Sequence, residues 1–98
     1  MSKLYITEYE HLPLTTDGRM SAGQEPALAT QTVTFTTATQ SAAFNARTTF
    51  VRVHAPTICS ILFGSNPTAD VNSPRLAANQ TEYFGVRGGD KLSAIDNT

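Results

Sequence analysis

Three side chains in this sequence have the chemistry of a nucleophile or metal ligand at neutral pH: His11, His54 and the single Cys59. A thiol–imidazole dyad needs its two groups within hydrogen-bond reach, and His54 and Cys59 lie close enough in sequence to meet from consecutive strands. The flanks of Cys59 in "TICSILFG" are apolar, however, which is the setting of a small buried residue rather than an exposed thiolate. A lone cysteine also closes no intramolecular disulfide. Metal sites need further ligands at compatible spacing, and no H-x-H or C-x-x-C pair occurs, so neither metal nor cofactor is expected. Asp17, Asp70, Asp90 and Asp96 all sit beside turn residues or near the chain end, where aspartate caps its own backbone. Strand register is not readable at this level, so a carboxylate pair for glycosidic chemistry stays open. Asn79-Gln80-Thr81 fits the glycosylation sequon, which reads as an accidental match if, as expected, the chain does not pass through a secretory pathway.

The aromatic residues offer a different chemistry, stacking. There is no tryptophan, which leaves Tyr5, Tyr9 and Tyr83. Tyr83 and Phe84 are adjacent and must point to opposite sides of a strand. With Phe84 and Val86 turned inward, Tyr83 faces outward, and Arg87 follows it into the turn "RGGD". That turn resembles an integrin-binding tripeptide only superficially, because of its extra glycine, and reads as a glycine hairpin. Leu4, Tyr5 and Ile6 near the N-terminus are the other candidates for contact. The expected interface set is therefore Leu4, Tyr5, Ile6, Tyr83 and Arg87, with no catalytic residue.

The elements that must carry these groups are strands. "ALATQTVTFTT" alternates cleanly, with Val33 and Phe35 on one face and Thr32, Thr34 and Thr36 on the other. "TTFVRVHA" puts Val51 and Val53 opposite Phe50, Arg52 and His54, and Pro56 then ends the ladder because it has no amide donor. "TICSILFG" is apolar on both faces, the pattern of a central, fully covered strand. Residues 41–46, "SAAFNA", read as a short strand carrying Phe44, and 81–86 and 91–95 as two strands around the glycine turn. Residues 1–10 read as an edge strand or an extended arm, and 11–27 as a long loop, dense in Pro and Gly. About seven short strands with turns roughly every ten residues, and no amphipathic helix, predict an all-β fold. It is a single domain spanning 1–98, a small β-sandwich with the jelly roll as a candidate topology.

Composition narrows the function. The chain has 98 residues, 15% of them charged, a net charge of −1 and no cluster of Lys and Arg. Nucleic-acid binding requires a basic footprint, so that class is set aside. No apolar run approaches the roughly 20 residues that span a bilayer, and "MSKLYITEYE" lacks the apolar core of a signal peptide. A domain this small buries only about two-thirds of its unfolded surface, so association with a partner would add welcome stability.

"GQEPALATQTVTFT", "SAAFNARTTFVRVHAPTICSILFGSNPTA" and "SPRLAANQTEYFGVRGGDKLSAI" together resemble a family of small bacteriophage proteins, structural components of tailed-phage virions. The resemblance covers most of residues 23–95 and rests on core and turn features, with no catalytic motif to carry over. It implies a non-enzymatic role as a capsid cement or decoration protein, bound to the outside of the head and bridging subunits of the major capsid protein. It further implies many copies or a homo-oligomer on a symmetric shell, synthesis in the host cytoplasm, and neither membrane nor nucleic acid as partner. Two other readings stay open: a tail, fibre or baseplate component that binds host glycan, and a small enzyme or cupin-like ligand-binding domain.

Overall fold

The computed structural model describes residues 2–19 and 22–97; Met1, the Met20–Ser21 step of the long loop and Thr98 lie outside them. Ten strands form: β1 (Ser2–Tyr9), β2 (Leu14–Thr15), β3 (Gly18–Arg19), β4 (Ala29–Phe35), β5 (Thr39–Gln40), β6 (Phe50–Ala55), β7 (Cys59–Gly64), β8 (Arg75–Leu76), β9 (Gln80–Gly85) and β10 (Lys91–Asp96). Two four-stranded sheets carry eight of them, in the orders β4-β1-β6-β9 and β5-β10-β7-β8, while β2 and β3 pair with each other. All pairings are antiparallel. The protein is an all-β sandwich.

Its strand order has a recognisable logic. Counting β4 as first and running through β10 to β1 as eighth, one sheet reads first-eighth-third-sixth and the other second-seventh-fourth-fifth. That is the jelly-roll order, cyclically shifted so that the closing strand comes first in the chain. The Ser2 hydroxyl donates to the Asp96 carboxylate, placing the start of β1 beside the end of β10. Residues 10–28 then connect the eighth position to the first.

The core forms where the two inner faces meet. Leu4 and Ile6 of β1, Val33 and Phe35 of β4, and Val51 and Val53 of β6 pack against Cys59, Ile61, Leu76, Leu92 and Ala94 of the other sheet. The alternation expected for 27–37 and 48–55 is the one observed, with Val33 and Phe35 buried and Thr32 and Thr34 exposed. Phe44, Phe63 and Phe84 close one end, with ring centroids 6.3 and 5.0 Å apart in succession.

Several local expectations are corrected. Residues 1–10 are neither edge nor arm: β1 runs between β4 and β6. Its pattern is blurred because the inward set includes Glu8, while the outward Tyr9 is buried under the loop. Residues 41–46 form no strand. Their backbone is held instead by scattered bonds, Ser41 N to Leu92 O at 2.6 Å and Phe44 N to Asp90 O at 2.8 Å. The long loop contains the small β2–β3 hairpin, turned by Asp17 and by Gly18 at φ 118°. Arg87–Asp90 is a turn but not a hairpin, since β9 and β10 belong to different sheets. It closes with Asp90 N to Arg87 O at 3.1 Å, and Gly89 at φ 86° supplies the positive φ that a type II turn requires. A Cβ on Gly88 would collide with the Ala46 backbone, so that position too needs glycine. Strand β7 is central at Cys59 and Ser60, where β8 flanks it, but Leu62 is exposed, so the strand is not covered along its whole length.

Candidate functional site

The expected contact residues separate into three places. Leu4 and Ile6 lie in the core at 0% and 1% exposure, so neither is available to a partner; their side chains alternate inward with the pleat. Tyr5 and Tyr83 are exposed on the outer face of the β4-β1-β6-β9 sheet. Arg87 is exposed in the turn at one end of the sandwich.

The outer face is built by register. Tyr5 pairs with Thr32 on one side and His54 on the other, and His54 pairs with Thr81. One step along, Thr7 pairs with Thr30 and Arg52, and Arg52 with Tyr83. Tyr5, Thr7, Thr30, Thr32, Arg52 and His54 line a depression of ≈ 600 Å³; Tyr83 and Thr81 stand on β9, outside that lining, on the other side of β6. The His54 ring nitrogen Nδ1 is 2.7 Å from the Thr81 hydroxyl, which fixes the imidazole. Toward the Tyr9 end, Tyr9 stacks on Phe50 with centroids 5.2 Å apart, and Phe50 meets Tyr83 at 6.5 Å. Leu12, Ala22 and Gly23 of the long loop wall a second, apolar hollow of ≈ 350 Å³ above Phe50 and Tyr83.

That loop is clamped. Gly23 lies so close to the Tyr9 ring that any Cβ there would overlap it, and the Tyr9 hydroxyl donates to Glu25 at 2.7 Å. Burial, then the Glu25 carboxylate, pushes the Tyr9 phenol up to about 12. Gln24 N to His11 O at 3.0 Å and Leu28 N to Glu8 O at 2.9 Å tie the two arms of the loop to each other and to β1. On the rim, Arg47 pairs with Glu10 at 2.5 Å and holds that carboxylate below its usual range. Beyond the clamp stands the β2–β3 hairpin, whose Leu14 is 74% exposed, the most open large apolar side chain described. The molecule measures 44 × 25 × 20 Å, and an eight-residue strand accounts for only about 26 Å of that length.

Glu8 was invisible as a special residue in the sequence, and its role is structural. Only 2% exposed, its carboxylate accepts from Asn45 N at 2.7 Å, Thr48 Oγ1 at 2.8 Å and Gln31 Nε2 at 3.2 Å. Gln31 in turn accepts from Ala42 N at 3.0 Å. The buried carboxylate thus joins the scattered backbone bonds that hold residues 41–48 in place of a strand ladder. Only its place on the same face of β1 as Leu4 and Ile6, a charged residue in an otherwise apolar row, gave a signal.

The groups considered for catalysis do not converge. His54 faces outward from one sheet, while Cys59 lies in the core from the other, fully buried, so the dyad is not formed. Burial and the nearby Asp96 push the Cys59 thiol up to about 11. Asp70 caps its own turn through Asn72 N at 2.8 Å. Among the described residues no three His, Cys, Asp or Glu side chains gather as a metal site, and no helix is long and apolar enough to cross a membrane.

What the fold and this arrangement define is a jelly-roll sandwich with one open sheet face and a small hairpin, with exposed Leu14, in the long loop. No family model, no curated protein and no solved structure matches the chain.

Proposed function

We propose that this protein is a non-enzymatic phage structural protein that binds the outside of a capsid and stabilises it by bridging major capsid subunits. The observation that supports this reading best is the clamped hairpin. A rigid sandwich seats on one subunit, and the hairpin carries exposed Leu14 toward the next, with Arg87 at the end of the sandwich as a second point of contact. The clamp at Tyr9, Gly23 and Glu25 fixes the base of the loop, so less of the chain is left to be ordered on docking. Many copies on a symmetric shell multiply a weak individual contact into firm attachment. The sequence resemblance to virion proteins points to the same class.

Addition of the purified protein to mature shells stripped of accessory proteins tests the reading. Shells should retain it through sedimentation and break at a higher temperature. Leu14→Asp should reduce occupancy without changing the protein's own unfolding. Shells equally heat-labile with and without the protein, or antibody label found on tails instead of heads, would overturn it.

A further inference from the structure

We propose that the outer face of the β4-β1-β6-β9 sheet binds a saccharide carrying a carboxylate, a uronic or sialic acid within an oligosaccharide, between Tyr5 and Tyr83. The inference is independent of shell binding and rests on the charge and shape of this face alone.

The charge is one-sided. Eight acidic residues outnumber seven Lys and Arg in the chain, yet the outward positions of these four strands include Lys3 and Arg52 and no Asp or Glu; the loop's Glu25 carboxylate reaches the face at its Tyr9 end and is taken up by the Tyr9 hydroxyl. Glu8 points into the core. Glu82 pairs with Val53 and so lies on the inner side of the pleat. The ion pairs among the described residues use Glu10 at the rim, which leaves the Arg52 guanidinium without a carboxylate partner among them. A planar guanidinium takes a carboxylate through two parallel hydrogen bonds, and the face is complementary to that anion.

Ring chemistry selects a sugar over an acidic peptide. Tyr5 is 43% and Tyr83 53% exposed, and strand spacing sets them about 12 Å apart across β6. Arg52 and His54 lie between them. Tyrosine rings offer apolar faces for the C–H side of a pyranose, and Thr30, Thr32 and Thr81 supply hydroxyls as both donors and acceptors. The contact of His54 Nδ1 with Thr81 leaves Nε2 as the free ring nitrogen. A peptide strand would instead add to a sheet edge through its backbone, whereas this depression lies on the face, over β4, β1 and β6, and Tyr83 stands beyond it across Arg52, where an oligosaccharide longer than one ring would reach.

Calorimetric titration with tetragalacturonate and with sialyllactose, beside neutral cellotetraose and a poly-glutamate peptide, reads the proposal out. At least one of the two carboxylated sugars should bind about tenfold or more tighter than cellotetraose and than the peptide. Arg52→Gln, Tyr5→Ala and Tyr83→Ala should each weaken that binding about tenfold or more while leaving thermal unfolding in place. Arg75→Gln, on the other sheet, should leave it unchanged. Absence of binding by both carboxylated sugars, equal binding of cellotetraose, tighter binding of poly-glutamate, or an equal loss in Arg75→Gln would each overturn it.

Discussion

The two sheets of this sandwich treat their outer faces in opposite ways. On the β5-β10-β7-β8 sheet the outward residues at the centre are small, Ser60 and Ser93, and both are fully buried. The connection of residues 65–74 folds back over them: Ala69 N donates to Ser93 Oγ at 3.0 Å. Asn97 Nδ2 reaches Ser60 Oγ at 2.7 Å and Val71 O at 3.1 Å, and Gln40 Nε2 reaches Pro67 O at 2.8 Å. On the β4-β1-β6-β9 sheet the outward residues are Tyr5, Arg52, His54 and Tyr83, too large and too polar for a loop to lie flat on them. The loop of residues 10–28 covers only one end of this face, where it lies over Tyr9. The chain thus covers the centre of one outer face with its own connection and leaves the centre of the other open.

The largest test of this contrast is a pair of charges. Ile61→Asp, on the inner side of the covered sheet, should abolish cooperative unfolding, because an unpaired carboxylate in the core costs several kcal/mol, on the order of the whole stability of a small domain. Thr32→Asp on the open face should shift stability by no more than about 0.5 kcal/mol. A folded Ile61→Asp protein would show that the core lies elsewhere. Next in size is Glu8→Ala, which strips acceptors from Asn45 N and Thr48 Oγ1 and should cost about 2–4 kcal/mol in denaturant titration.

Alkaline pH comes third. Folding raises the Tyr9 phenol from 10.0 to about 12 and the Cys59 thiol from 9.0 to about 11. A raised native pKa means the native state prefers the protonated form, so this stability is whole below pH 9 and drains as pH climbs through 11 and 12. The expected loss is about 3 kcal/mol for each group at most. Tyr9→Phe should flatten the upper part of that decline; an unchanged profile would mean that Tyr9 is not the buried clamp described. Smallest is Ser93→Ala, expected to cost about 1–3 kcal/mol by leaving the buried Ala69 amide unpaired, against no more than about 0.5 kcal/mol for Thr32→Ala on the open face. Equal effects at the two positions would erase the contrast between the faces.

Much of the covered and open pattern was legible in the sequence, and the failures share one cause. Val33, Phe35, Val51 and Val53 alternate with polar neighbours, so their strands and inner faces follow from period two alone. Tyr83 was placed outward by its adjacency to Phe84. In contrast, residues 41–46 depend on Glu8, far away in sequence, and local pattern contains no trace of that partner. The β1 strand was misplaced for the same reason, since Glu8 and Tyr9 break its alternation for the sake of residues 41–48 and of the loop at Gly23. The crossing of Arg87–Asp90 between sheets was equally hidden: a glycine turn looks the same whether it closes a hairpin or changes sheet. Leu4 and Ile6 do not read as core in the sequence, where an edge strand or an arm is expected; pairing of β1 with both β4 and β6 is what buries them.

The hairpin as the shell contact is the central functional claim, and amide hydrogen exchange of the free and shell-bound protein tests it most directly. The account predicts new protection on binding concentrated in residues 12–19, with the interior strands β1 and β6 and the covered strands β7 and β10 unchanged. Protection confined to residues 65–74, or none at the hairpin while the protein stays on the shell, would contradict it.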